Sequence, residues 1–452
     1  MRRVLVVGGG ITGLSTALAL AEYDAGRDVD VVVELREAAP RLGGKLHTTP
    51  FAGLPAVDEG GDAFLARVPH AAELAVAVGL GDALTSPTGA TAAVWLDGLH
   101  PIPEGLLLGV PSDILRLSRS RLLSVRGKLR AALEPVLPRR DPGDSIGALV
   151  RGRFGDEVQE RLVDALVGSI YAADTDRFSL AMVPQLAALA ERGRSVLLSA
   201  RALRAAAPPA TGPLFLAPTG GMSAFADAIA ATAAARGVVI TTSCPVTALD
   251  ADGGSWRADG DGFDAVVLAT PAATTAPLLA AAAPDAARLM AMMDHAGVVL
   301  VTLAVPGWPA RLAGRSGYLV PKPVQQTVTA ASFGSQKWAH WRGGEGEVVR
   351  ISLGRDGLRV DDLDDDTVID RAVTEVGRHI GLDLQPGAVR ISRWPSAFPQ
   401  YRPHHRDWLA RVRAALPLGM YVTGASYDGI GIPACIAQGQ ATAAAVIAGI
   451  AR

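Results

Sequence analysis

The residues with the clearest chemical pattern are Gly8, Gly10 and Gly13, spaced G-x-G-x-x-G, with Gly9, Ile11 and Thr12 between them. A diphosphate needs that pattern. The first glycine permits a tight turn, the second lets the phosphate touch the backbone, and the third lets a helix pack close to a strand. An acid some way downstream completes such a site by binding ribose hydroxyls, and two candidates compete, Glu34 and Glu37. Glu37 is favoured because it ends an apolar run, whereas Glu34 lies among valines and reads as a strand residue facing solvent. Glu37 stands 24 residues after Gly13, slightly beyond the usual ~20, and the polar loop "YDAGRD" accommodates the excess.

The elements needed to position these groups are present in the sequence. "RRVLVV" has the β-branched character of a buried parallel strand, and "LSTALALAEY" that of a helix. The glycines fall between them, so phosphate would meet the free N–H groups of a helix N-terminus. "VDVVVELRE" supplies the second strand. The basic start, apolar run and A-x-A of "MRRVLVVGGGITGLSTALALAE" imitate a secretory leader, but the glycine spacing is better explained by the nucleotide fold.

Other reactive residues form no such pattern. His404 and His405 are adjacent, so their side chains diverge, and no carboxylate or cysteine is spaced to complete a metal site. Cys244 and Cys435 are far apart and make neither a disulfide framework nor a metal site. The 452 residues carry a net charge of −2 and are 49% hydrophobic, which argues for two or three domains and against a nucleic-acid binder. A reducing cytoplasm fits the cysteine usage. No uninterrupted apolar run of some 18 residues suggests a transmembrane helix.

"TAAVWLDGLHPIPEG" reads as a hairpin about Asp97-Gly98, and residues 110 to 210 are mostly helical with loops at "LEPVLPRRDPGD" and "RAAAPPATG". Residues 295 to 355 are strand-rich. "DDTVIDRAVTEVGRHIGL" is an amphipathic helix whose acidic approach, "DDLDDD", suits a helix start. The basic stretch from Arg116 to Arg140 reads as a solvated helix face, or as one turned to anionic lipid.

A second glycine pair, Gly43 and Gly44 in "RLGGKLHT", resembles FAD enzymes of the glutathione-reductase and amine-oxidase type, with Arg41 and Lys45 in matching places. "EAAPRLGGKL", "DEGGDAFLARVP", "LHPIPEGLLLGVPSD", "GSIYAADTDRFSL", "PTGGMSAF", "RWPSAFPQY" and "YVTGASYDGIGIPACIAQG" extend the likeness along nearly the whole chain. It resembles the coproporphyrinogen III and protoporphyrinogen oxidases of haem synthesis, of the Gram-positive, actinobacterial type. The resemblance implies an α/β plus α+β fold. Its Rossmann-like FAD domain would comprise residues 1–66, 213–272 and 390–452; a substrate domain with an antiparallel sheet, 67–110 and 273–389; and a helical, membrane-facing domain, 111–212. The implied FAD contacts are Gly8, Gly9, Gly10, Ile11, Thr12, Gly13, Glu37, Gly43, Gly44, Lys45, Gly60, Gly61, Asp62, Ala63, Val246, Trp394, Gly424, Ile430, Gly431 and Ile432. Val246 is expected on the strand after "TTSCP", with its backbone at the adenine.

The implied reaction is oxidation of coproporphyrinogen III, alternatively protoporphyrinogen IX, with six electrons passing two at a time to FAD and on to molecular oxygen, which leaves as hydrogen peroxide. The flavin carries the chemistry, so no side chain is expected to be catalytic. The resemblance also implies hand-over of product to a ferrochelatase, and it leaves open a peripheral membrane contact for an otherwise cytoplasmic protein. Arg67 is the candidate for a substrate carboxylate, although many family members carry the basic residue later, where Val68 stands; Ile170 and Tyr171 are candidates for the macrocycle wall. A flavin amine oxidase or desaturase, and a flavin protein without turnover, are the alternatives. "RAALPLGMYVTGASYDG" lacks the marks of an amine oxidase. Finally, Gly424, Gly429 and Gly431 followed by a helix from about Pro433 read as the second half of the FAD site, with the helix N-terminus aimed at the flavin ring.

Overall fold

The computed structural model describes residues 1–24, 30–206 and 212–451. The expected loops at "YDAGRD" and "RAAAPPATG" fall largely outside these. Five parallel strands form the first sheet, in the order Val239–Thr241, Val31–Arg36, Arg2–Val7, Ala265–Leu268, Met420–Val422. Arg2–Val7 is fully buried from Val4 onward because both faces are covered: Val4 and Val6 share a core with the helices, and Leu5 and Val7 one with the antiparallel strands Leu249–Asp252, Ser255–Ala258 and Asp261–Phe263. The strand that follows Arg2–Val7, Val31–Arg36, lies on one side of it, and Ala265–Leu268, reached much later in the chain, lies on the other. The C-terminal end of Arg2–Val7 is therefore the switch point at which ligands bind in such sheets.

Two helices pack together beside that end. They are Ile11–Asp24, which directly follows the first strand, and the long terminal helix Ile432–Ile450. A Cβ at Gly439 would lie 2.8 Å from Thr12 O and 2.9 Å from Thr16 Oγ1, so glycine sets how close the helices approach. The terminal helix is long and apolar enough to cross a membrane by length and composition. Here Ile436, Ala443, Val446 and Ile447 place it in the core with the first sheet.

The second sheet has seven strands in the order Ala388–Pro399, His295–Val305, Glu347–Leu353, Val328–Phe333, Arg315–Leu319, Thr91–Trp95, Leu99–Pro101. It is antiparallel except where Arg315–Leu319 runs parallel to Thr91–Trp95. The Asp97-Gly98 hairpin forms, pairing Trp95 with Leu99. Helix Asp365–Ile380 covers one face with Val368, Ala372, Val376 and Ile380. Asp364 caps its first turn by accepting from Thr367 N, and Gly381 ends it at φ 64°. The boundary expected at 390 falls inside a strand: residues 390–399 pair with His295–Val305 and belong to this second sheet.

A third layer is helical, with a core that includes Leu117, Phe154, Leu162, Phe178, Leu186 and Leu197. In it, the α-turn Asp156–Val158 opens into a π-helix over Gln159–Gly168 and closes at Ser169–Tyr171. Ala172 follows in the left-handed region at φ 46°. Wide turns of this kind gather at functional sites because they leave backbone groups offset from the regular ladder.

Candidate cofactor and substrate site

The glycine loop has the geometry its spacing predicts. Gly8 sits at φ 104°. A Cβ on Gly13 would lie 1.9 Å from Gly8 O, so only glycine lets the helix start this close to the strand. One at Gly10 would meet no protein atom within 4 Å, so that residue faces open space. The Glu37 carboxylate accepts from Gly9 N at 2.6 Å and from Ala39 N at 2.8 Å, which fixes it beside the loop. Glu34 is committed elsewhere. It does not simply face solvent but pairs with Arg36 at 2.6 Å and Arg3 at 3.4 Å.

The second glycine pair joins the first. Gly43 N donates to Gly9 O at 2.8 Å, and Gly10 and Gly43 form a bridge. Ser243 N donates to Ala39 O and Cys244 N to Glu37 O, both at 2.9 Å, which brings the approach to Val246 alongside. Val246 itself is buried in an extended connection between Val239–Thr241 and Leu249–Asp252. The strand expected at this position is therefore absent, because the chain bends away at Ser243, φ 52°.

The segment Asp58–Asp62 lies between the two sheets. Asp58 accepts from Thr48 Oγ1 and Met222 N, and burial raises its pKa. Asp62 is held far below the ordinary carboxylate range: burial opposes this, but Lys337 and Arg350 outweigh it. Its Oδ2 accepts from Lys337 Nζ at 2.7 Å and Trp338 Nε1 at 3.0 Å. With its side chain so engaged, Asp62 offers a ligand mainly backbone, like its neighbours Gly60, Gly61 and Ala63. A Cβ at Gly61 would again meet nothing, whereas one at Gly60 would lie 2.2 Å from Lys45 O and 3.6 Å from the Trp394 ring. Trp394 Nε1 donates to Glu59 O at 2.7 Å.

Lys45 is accessible by surface area, yet burial is the largest influence on its ammonium and lowers its pKa. The two facts agree if the side chain lines a deep cleft. Its Nζ donates to Ala397 O, on the strand of Trp394. The terminal turn closes the same region. Gly424 has φ 111° and Gly429 φ 130°, and the helix begins at Ile432 after Gly431, with Pro433 in its first turn. Gln438, which sequence reasoning missed, ties this turn together. It accepts from Gly424 N and Asp428 N at 3.2 and 3.3 Å and donates to Gly429 O at 3.0 Å. Cys435 is buried, within 3.6 Å of Gly429 O, and burial raises its pKa.

Among the substrate candidates, Ile170 is exposed and Tyr171 packs on Phe178, ring centroids 4.8 Å apart and tilted by 45°, with its hydroxyl pKa raised by burial. Arg67 is exposed and, among the described residues, forms no ion pair; its contacts do not join it to Ile170 or Tyr171. Behind Ala172 lies a cavity of ≈ 30 Å³ lined by Gly168, Val298, Arg355 and Phe398, among others. Arg355 was not anticipated. It is buried in a two-pronged pair with Asp164, at 2.7 and 2.8 Å, and also donates to Ala173 O. Among the described residues no group of His, Cys, Asp or Glu could hold a metal ion. His405 instead bonds Tyr427 O at 2.7 Å.

These features form a dinucleotide cradle opening onto an antiparallel sheet, and the flavin containing amine oxidoreductase model matches residues 11–447. The chain belongs to that family. Its cofactor is FAD, and the cradle fits it. The sequence is 34% identical to the coproporphyrinogen III oxidase of Mycobacterium leprae, over 100% of this chain and 99% of that one. It is 29% identical to the enzyme of the same name from Bacillus subtilis, over 97% of each. A crystal structure described as a proposed protoporphyrinogen oxidase from Exiguobacterium superposes with a TM-score of 0.86 at 28% identity, covering 98% of both chains. Cyclohexylamine oxidase from Brevibacterium oxydans shares the fold, with a TM-score of 0.69 at 18% identity. The chain is thus a flavin-dependent oxidoreductase of the kind found in porphyrin synthesis.

Proposed function

We propose that this protein oxidises coproporphyrinogen III to coproporphyrin III, removing six electrons and passing them to molecular oxygen with release of hydrogen peroxide. The observation that carries this reading is similarity at 34% identity over 100% of this chain and 99% of an enzyme of that name. A protoporphyrinogen substrate is the second reading, favoured by a weaker match, 25% identity, to bovine protoporphyrinogen oxidase.

Bound FAD supplies the electron acceptor. The residues Gly8 to Gly13 hold its diphosphate, and Glu37, already oriented by Gly9 N and Ala39 N, accepts from its ribose. Gly43, Gly44, Lys45, Gly60 to Ala63 and Trp394 follow the rest of the cofactor, and Val246 meets the adenine. Gly424 and Ile430 to Ile432 present helix N–H groups to the ring, where they stabilise negative charge. The macrocycle lies against Tyr171 and Ile170, and Arg67 takes a propionate. The two sheets and the helical layer support a three-part division, with strand Ala388–Pro399 in the substrate sheet and helix Pro69–Ala77 in the core of the first sheet. The product passes to a ferrochelatase. A row of exposed Leu115, Val125, Leu129 and Leu133 beside Arg119, Arg121 and Arg126 supports peripheral contact of the helical layer with an anionic membrane.

Aerobic incubation of the purified holoprotein with each porphyrinogen, followed by porphyrin fluorescence and peroxide assay, tests the reading. Faster porphyrin formation from coproporphyrinogen than from protoporphyrinogen is expected; no gain over autoxidation with either rejects it.

A further inference from the structure

Three polar side chains stand together in the second sheet without satisfying one another. Thr302 pairs directly with Arg350 on one neighbouring strand and with Arg390 on the other. Directly paired residues point to the same face, so the three form one row, with a short side chain between two long ones. Strands lie ~4.8 Å apart, which sets the two arginine backbones about 10 Å from each other. Both guanidiniums reach with their outer nitrogens to the segment 57–62: Arg350 to Gly60 O and Asp62, Arg390 to Val57 O, and also to Thr49. Nε, one bond nearer the sheet, is left below in each. Arg350 Nε, Arg390 Nε and Thr302 Oγ1 are all buried atoms, and none of them finds a hydrogen-bond partner among the described residues. Thr302 is 0% and Arg350 8% exposed.

The surroundings offer these groups no relief. The next row on the same face, Ala304 paired with Val348 and with Ala388, is apolar and packs into the core of the first sheet. Trp341, whose ring centroid lies 5.7 Å from the Arg350 guanidinium, has a buried indole N–H that is also unmet. The carboxylates of the facing segment are engaged elsewhere. Asp58 accepts from Thr48 Oγ1 and Met222 N, and Glu59 from Thr49 Oγ1 and Ser392 Oγ. Asp62 takes Lys337 at 2.7 Å and Arg350 at 3.3 Å. Arg390 bonds only neutral oxygens among the described residues, those of Thr49 and Val57. A buried donor left unmet is costly, and more so on a charged group. One water could meet two of the donors with its lone pairs, but it would bring two O–H groups needing acceptors into a row made of donors. An anion brings no hydrogens and accepts from all of them.

We propose that this row binds a small monovalent anion of halide size, held by Arg350 Nε, Arg390 Nε and the Thr302 hydroxyl. The apolar row closes the site on one side and the segment 57–62 lies over it. A halide suits such a place better than sulfate or phosphate, whose further oxygens would need donors that the row lacks. The bound ion completes the tether between the second sheet and the segment 57–62, because the guanidiniums that hold it also hold Val57 O and Gly60 O. This site stands on the sheet alone and does not depend on which porphyrinogen is oxidised.

Crystals of the holoprotein grown in bromide and measured at the bromine absorption edge test the proposal. An anomalous peak within hydrogen-bond reach of the three atoms is expected; water in that place, or bromide peaks only elsewhere, overturns it. In solution, Tm should rise as sodium gluconate is replaced by sodium bromide at constant ionic strength, since the folded state alone holds the site and gluconate is too large for it. A Tm that does not respond to the exchange also overturns the proposal, because a crystal peak would then mark binding at crystal concentration only. Thr302→Val keeps the shape and removes one bond to a charged partner, so the Kd for bromide from the Tm titration should rise by about tenfold or more. Arg390→Lys keeps the charge without the Nε–H and should weaken bromide similarly, which covers the case in which Thr302→Val does not fold. An unchanged Kd in either variant overturns the part given to that residue.

Discussion

Arg355→Met should separate stability from cofactor binding. Arg355 and Asp164 bury 94% and 99% of their side chains, and the two N–H···O contacts of 2.7 and 2.8 Å use both carboxylate oxygens. Truncating the guanidinium leaves Asp164 with only the N–H and hydroxyl of Thr175, at 3.1 and 2.7 Å. Removing one partner of such a pair costs about 3–5 kcal/mol, because the remaining charge stays buried without compensation. Replacing both with apolar groups is often close to neutral. Urea unfolding should therefore place Arg355→Met several kcal/mol below the wild type and Arg355→Met/Asp164→Leu nearer to it. Arg355 also carries the turn that holds Tyr171, since a Cβ on Gly168 would lie 2.8 Å from Arg355 Nη2 and the guanidinium binds Ala173 O. The single variant should thus raise the KM for porphyrinogen while keeping its FAD, whose cradle lies on other elements. A cost below about 1 kcal/mol, or a double variant no more stable than the single one, would refute this account of the pair.

Three further outcomes follow from the same geometry. Glu37→Ala removes two charge-assisted bonds to the glycine loop and should weaken FAD binding by at least about tenfold, read by flavin fluorescence on dilution. Gly13→Ala places a methyl 1.9 Å from Gly8 O, so the protein should purify without flavin while its far-UV spectrum stays close to the wild type. His379, packed against Trp95 with ring centroids 3.9 Å apart, has its pKa lowered to about 4, first by burial and then by Arg378. The unfolded chain binds the proton more tightly, so stability should fall as pH drops from about 6.5 towards 4, and this slope should flatten in His379→Phe; equal slopes in urea titrations across that range would count against it.

What could be read in the sequence was local. The strand, glycine loop and helix at Arg2–Asp24 follow one another without interruption, and Gly13 has its steric reason in Gly8 O, five residues back. The same holds for Gly424 to Ile432, where turn and helix adjoin. Distant pairs were not legible. Arg355 meets Asp164 across 191 residues and Lys337 meets Asp62 across 275, and nothing in either member's surroundings names the other. Glu34 misled because three valines precede it, and its partner Arg36 lies on the same strand face two residues on. The 390 boundary fell inside a strand because Pro395 and the left-handed Ser396, φ 53°, interrupt the usual alternation there.

The link between cradle and sheet is electrostatic as well as covalent. Between Val57 and Asp62 every acid finds its partner on a different element. Glu59 accepts from Ser392 Oγ at 2.7 Å, and its carbonyl from Trp394. Gly60 O accepts from Arg350 and Val57 O from Arg390, both from strands of the second sheet. Asp62 accepts from Lys337, just beyond that sheet. A segment fixed by so many charge-assisted bonds cannot move independently of the sheet that supplies them. On the placement proposed above, this segment ties the cofactor side of the site to the second sheet. Substitutions at Arg350 or Arg390, both far along the chain from the cofactor motifs, should consequently disturb electron transfer more than cofactor affinity.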